Sequence, residues 1–236
     1  MWFAVRYTRL APPAAPAAPA AGDRSILTID LSNAGLVFAM GKQEIQGIEA
    51  TFITIGGDDA LEGHLLTPPP AGTSPSNFSG VTLFFSVQFG VGQQADGFWP
   101  ASLGTTTISL DAAAIRAAGG SVGAVVTTAR DTPAEVRVGF SLVSTAMARA
   151  NVAKVARLSF DEVAAASWRT WDATLARISI EDDASAPAAA SGRNLFYSVL
   201  FHALRKPTDF TEQVPRSWTG TGGKGYIFDL GTMWDQ

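Results

Sequence analysis

The sequence contains no cysteine and only two histidines, His64 and His202, far apart in the chain. Without thiols there is neither a disulfide framework nor a thiolate metal site. Two distant histidines, with no Ser and Asp pattern beside them, support neither a nucleophile triad nor a His-based metal centre. Cysteine-free proteins occur in every compartment, so redox location stays open. Charge is sparse too: charged residues make up 16%, with 17 Lys and Arg against 21 Asp and Glu and a net charge of −4. No long basic run is present to meet phosphates, which argues against nucleic acid as a partner. No stretch approaches the about 18 apolar residues of a membrane-spanning helix. Residues 1–10 place Arg6 and Arg9 after apolar residues, the reverse of a secretory signal, so the chain shows no signal peptide and an export signal would have to lie upstream.

What is present is a chain of 236 residues, 47% hydrophobic, able to bury a sizeable core. Near-alternating Trp2, Ala4 and Tyr7 predict a half-exposed strand, and the Ala- and Pro-rich stretch 11–22 predicts a surface loop inserted after it. Strand patterns follow at 26–31, 36–40, 45–55, 81–89, 105–110, 122–128 and 136–143. Asn33-Ala34-Gly35, Gly56-Gly57 and a Pro, Ser and Gly loop at 67–80 punctuate them. About eight strands with turns between them predict a mainly β domain, an antiparallel β-sandwich over residues 1–145.

Near Ser144 the period changes. Ser159-Phe160-Asp161-Glu162 has the form of a capping box, predicting a helix from Phe160. Ala164, Trp168, Trp171, Leu175 and Ile178 then form one apolar stripe, predicted to be buried. After a polar, Ala-rich stretch at 181–192, Phe196, Val199, Leu200, Ala203 and Leu204 mark a second helix that Pro207 stops. His202 falls off that stripe and reads as a surface or interface residue. Residues 146–191 read as a helical linker and 192–236 as the start of a further domain. The chain closes on Thr232-Met233-Trp234-Asp235-Gln236 with no helix stop, which reads as a domain cut short.

Several apparent motifs fail in context. Gly220, Gly222 and Gly225 match a dinucleotide-binding spacing but lack the preceding buried strand and following helix, and Lys224 lacks the Ser or Thr of a phosphate loop. Asp58-Asp59 and Glu181-Asp182-Asp183 read as solvated carboxylates of polar loops, since acid–base work needs carboxylates converging across a cleft. Asn77-Phe78-Ser79 is a formal glycosylation acceptor. Trp99, in a loop flanked by Gly and Pro, reads as packing more readily than as a sugar platform.

From Val136 onward the chain resembles glycoside hydrolase family 92, whose known members are mostly exo-acting α-mannosidases. The matching phrases are Val136-Arg137-Val138-Gly139-Phe140-Ser141-Leu142-Val143-Ser144, then Ala148-Arg149-Ala150-Asn151. Trp171 with Leu175 and Ile178, Phe196-Tyr197 with Leu200, and Trp234-Asp235 follow, and it is their order and spacing that is specific. The resemblance implies a sandwich of the galactose-mutarotase-like or supersandwich type, linker helices and a C-terminal (α/α)6 barrel, of which this chain carries only the first helix. It also implies calcium-dependent, inverting hydrolysis of mannose-containing glycans, with the acid and base in the barrel beyond residue 236, so that this chain alone is expected to be inactive. No catalytic or metal-binding residue is assigned in it.

By the same resemblance, Asp235 is a sugar-hydroxyl ligand and Trp234 a second substrate contact; the alternative is a helix cap and a core residue. The family often has Ser-Leu-Trp-Asp-Thr where this chain has Thr232-Met233-Trp234-Asp235-Gln236. A secreted or periplasmic location and packing against the chain's own C-terminal domain are further implications. The competing class is a non-catalytic carbohydrate-binding or interaction module.

Overall fold

A computed structural model describes residues 2–7, 24–32, 37–38, 41–42, 45–67, 81–129, 134–180, 189–204, 208–209 and 226–227. The Ala- and Pro-rich stretch 11–22, the 68–80 part of the Pro, Ser and Gly loop with Asn77, the acidic run 181–183, the glycines at 220–225, and Trp234 and Asp235 lie outside them. The chain divides into two compact units, Met1–Phe160 and Asp161–Gln236.

The first unit contains strands β1 (Trp2–Tyr7), β2 (Arg24–Asp30), β3 (Val37–Phe38), β4 (Gly41–Lys42), β5 (Gly47–Ile55), β6 (Asp58–Thr67), β7 (Val81–Phe89), β8 (Gln93–Trp99) and β9 (Thr107–Asp111). A short helix, α1 (Ala112–Ala117), precedes β10 (Gly123–Ala129) and β11 (Ala134–Ser141), and α2 (Thr145–Ala153) follows them. Six strands form one sheet in the order β1-β11-β7-β6-β5-β9 and three form another, β2-β10-β8; β3 and β4 make a separate ribbon. Every pairing in the two larger sheets is antiparallel. Ile48, Leu61, Phe85 and Phe89 of the six-stranded sheet share one buried cluster with Phe98, Ala124 and Val126 of the three-stranded sheet. Two sheets closing on one core are the antiparallel sandwich that the alternation predicted.

Three of these strands, β4, β6 and β8, were not legible as strands. Asp58-Asp59 were expected in a polar loop, but Gly56 (φ 63°) and Gly57 (φ 99°) make a two-residue hairpin turn that pairs Ile55 with Asp58 and starts β6 there. Positive φ at both central residues suits the right-handed twist of the strands, and glycine tolerates it best. Asp59 Oδ2 accepts a hydrogen bond from the Ala95 amide (3.0 Å), so it ties β6 to β8 instead of lying free in solvent. β8 itself is polar and broken by Gly97. Its terminal Trp99 lies against Gly123 of β10, where an added Cβ would fall 1.5 Å from the indole. Trp99 is thus half-buried packing. The short α1 was likewise unforeseen; Asp111 caps it, accepting from the Ala114 amide at 2.8 Å.

The second unit holds most of α3 (Phe160–Leu175), then α4 (Ala189–Leu204) and the ribbon of β12 (Thr208–Asp209) with β13 (Tyr226–Ile227). Helix α3 starts at Phe160 as the sequence predicts, and α4 starts inside the stretch expected to be a linker. Trp171 meets Phe201 with ring centroids 4.4 Å apart, and the Tyr197 hydroxyl donates to the Ile178 carbonyl at 3.0 Å. The expectation of one buried stripe is corrected here: no residue of α3 is buried, Trp168 is 70% exposed and Ile178 47%. On α4, Leu195, Val199 and Leu204 are exposed as well. Two helices meeting along one line cannot cover a stripe wider than that line.

This lowers what a core-filling Trp171 would contribute. With a half-buried indole whose described ring partner is Phe201, Trp171→Ala is expected to cost about 1–2 kcal/mol, the size of an aromatic pair plus partial burial, instead of the about 3–5 of a buried large aromatic. The urea midpoint of the helical unit measures it, and a loss above about 3 kcal/mol would mean that Trp171 is covered on its other sides.

Candidate functional site

The phrases that carry the family resemblance converge, within the first unit, on the contact between α2 and the six-stranded sheet. Strand period puts Leu61 and Leu65 of β6 toward the core, and Glu62 and His64 on the opposite face. In register across that face run Glu62, Ser86 and Gly139, from β6, β7 and β11. Helix α2 lies over Gly139: a Cβ there would sit 2.2 Å from the Ala148 carbonyl oxygen and 2.8 Å from Val152. Only the missing side chain lets the helix backbone come this close to the strand.

Three polar contacts fix α2 there. Ser144 caps it, its hydroxyl accepting from the Met147 amide at 3.1 Å. Asn151, 1% exposed, donates from Nδ2 to the Phe140 carbonyl at 2.9 Å. Arg149 forms a two-pronged ion pair with Glu62, Nε to Oε1 at 2.7 Å and Nη2 to Oε2, while the Ser86 hydroxyl donates to Oε1 at 2.8 Å. The Glu62 side chain is 7% exposed and that of Arg149 52%, so a buried carboxylate is neutralised by a cation reaching in from the surface. The hydrogen bonds to Glu62, with its charge acting in the same sense, raise the Arg149 pKa above its ordinary value, against a small opposing effect of burial.

Elsewhere on the face, His64 is half-buried, with Nδ1 3.8 Å from Glu49 Oε2 and its ring 5.6 Å from Phe84. His202 is exposed on α4 and meets Phe201 edge-on. Among the described residues no three His, Asp or Glu side chains converge as metal ligands. Glu62 and Asp59 are taken up by Arg149, Ser86 and a backbone amide. None of the described acidic residues therefore makes a set that fits a calcium ion. Asp235, Trp234 and the run 181–183 lie outside the described residues. The Glu62–Arg149 pair is what sequence reasoning missed. The available signal was a single acidic residue between Leu61 and Leu65, on the face opposite both leucines.

An antiparallel sandwich with a helix on its outer face, leading into a second, mainly helical unit, is the class of protein defined by this geometry. Residues 147–236 match the family model described as the glycosyl hydrolase family 92 catalytic domain. The fold is shared with solved structures of that family. The GH92 family glycosyl hydrolase ccman5 superposes with a TM-score of 0.63 at 19% identity, over 91% of this chain and 27% of that one. A family GH92 α-mannosidase of Bacteroides thetaiotaomicron in complex with mannoimidazole gives 0.59 at 16% identity, over 86% and 25%. A family GH92 inverting mannosidase of Bacteroides thetaiotaomicron VPI-5482 gives 0.54 at 17%, over 90% and 28%. No curated protein matches the chain. The chain resembles glycosyl hydrolase family 92 over residues 147–236 and shares its fold with solved structures of that family. It spans about a quarter of the length of these solved structures. Among the described residues no helix is long and apolar enough to cross a membrane.

Proposed function

We propose that this chain is the sandwich and opening catalytic segment of an inverting exo-α-mannosidase that acts on mannose-containing glycans outside the cytoplasm, in the secreted or periplasmic space. The observation that carries the reading is the family match over residues 147–236, supported by similar structures of an α-mannosidase and of an inverting mannosidase. The exposed apolar residues of α3 and α4 agree with helices that belong to a larger helical domain. Inverting hydrolysis needs one carboxylic acid to protonate the leaving oxygen and a second carboxylate, across the cleft, to activate water. Glu62 and Asp59 are tied into the sandwich by Arg149, Ser86 and the Ala95 amide, and in this reading the acid and base come from elsewhere in the enzyme. Calcium dependence belongs to the same reading, with ligands other than the described residues. Asp235 and Trp234 are its substrate contacts.

The 236-residue chain alone is therefore expected not to turn over aryl α-mannosides, with or without added calcium. Release of the aryl group by the purified chain above the buffer rate, abolished by a chelator, would overturn the assignment of the acid and base to other residues. A longer protein that includes this chain should hydrolyse the same substrate with inversion, followed by the anomer first formed.

A further inference from the structure

The border drawn by sequence and the border drawn by packing do not coincide. The catalytic-domain match begins at Met147, inside α2, whereas the sandwich unit runs to Phe160. From Ala148 to Val155 the segment is part of the sandwich: Ala148, Asn151, Val152 and Val155 are all buried. Beyond it, Arg137 of β11 donates from Nη2 to the Leu158 carbonyl at 3.1 Å. A nine-residue helix is too short to persist by itself in water, so α2 exists because the sheet covers it.

We infer that α2 is a shared, latched element, in which the opening helix of the catalytic segment folds as a layer of the sandwich. The Glu62–Arg149 pair holds it there, and it can leave the sheet as a unit while both sheets stay closed. The asymmetry of the pair is the reason. Glu62 is fixed in a strand, buried and shared with Ser86, whereas Arg149 rides on the helix with half of its side chain in water. The apolar core lies on the other face of the sheet, so lifting α2 opens Gly139, Ser86 and Glu62 to solvent but leaves Leu61, Phe85 and Val87 covered by the three-stranded sheet. Helix α2 thus forms a separate opening unit with the pair as its latch. The sandwich is then the fixed point from which the catalytic segment starts, and the two cannot be parted at residue 147.

Hydrogen exchange on the intact 236-residue chain tests this directly, without reference to activity, so its outcome is independent of the mannosidase reading. Glu62→Gln keeps the shape but removes the charge that holds Arg149. Amides of residues 148–155 should exchange roughly a hundredfold faster than in the unsubstituted chain, while those of Leu61, Phe85 and Val87 stay within about threefold. Arg149→Lys keeps the charge but loses the two-pronged geometry, and should give a smaller rise of about tenfold at the same amides. It also serves if Glu62→Gln does not fold. Unchanged exchange in α2 would overturn the inference. So would equal acceleration in α2 and the strands, or failure of both variants to fold, since α2 and the sheets would then be one cooperative unit.

Discussion

Phe89→Ala is expected to destabilise the sandwich by about 3–5 kcal/mol, the usual cost of emptying a buried aromatic site. Phe89 is 0% exposed and heads the largest fully buried side chains. It lies at the end of β7, opposite Val136, and its ring centroid is 6.5 Å from that of Phe52, which in turn stands 4.9 Å from Phe98 of the facing sheet. Truncation removes one end of this relay, where strands on both sides are held in register and cannot collapse into the space. Phe89→Leu, which leaves a smaller void, should cost clearly less. Urea unfolding followed by far-UV circular dichroism measures both. A loss below about 1 kcal/mol for the alanine variant would show that the two sheets close up without the ring.

Asp235→Asn should lower kcat/KM for α-mannosides roughly ten- to 150-fold in an active protein that contains this chain, at unchanged stability. The amide keeps the size of the side chain but replaces an acceptor oxygen by a donor. A carboxylate that accepts from sugar hydroxyls loses a charge-assisted bond of about 1.5–3 kcal/mol on that change. A helix cap would not, because Asn caps about as well as Asp. The same substitution therefore separates the two roles, and near-unchanged kcat/KM in a well-folded variant would retire Asp235 as a substrate contact.

How much was legible can be judged strand by strand. β5, β7 and β11 were visible because each largely alternates apolar and polar residues in a run bounded by turn residues, the pattern of a half-covered strand, and β10 because it is a short run rich in Val and Thr. β6 was not: its outward residues are Glu62 and His64, and an acid on a covered face looks like a loop until its counter-ion is known. That counter-ion is Arg149, 87 positions further on, and no local pattern reports it. The resemblance had already singled out Arg149 and Asn151, but as parts of a family phrase. The structure gives them the task of holding α2 on β6 and β11.

Local chemistry alone determined the fold class of this protein: alternation made strands, Gly56-Gly57 a tight turn, the Ser159-to-Glu162 phrase a helix start, and ordered short phrases a family resemblance. These are properties of neighbours in the chain, settled by sterics and by the period of each element. Tertiary structure decided which faces are covered. It left the Trp168 to Ile178 stripe largely open, buried Glu62 beneath a helix, laid Trp99 on Gly123 and placed on the sandwich the first residues of the stretch that matches the catalytic-domain model. Burial depends on what arrives from distant parts of the chain, and a stripe of apolar residues states only that something could cover it.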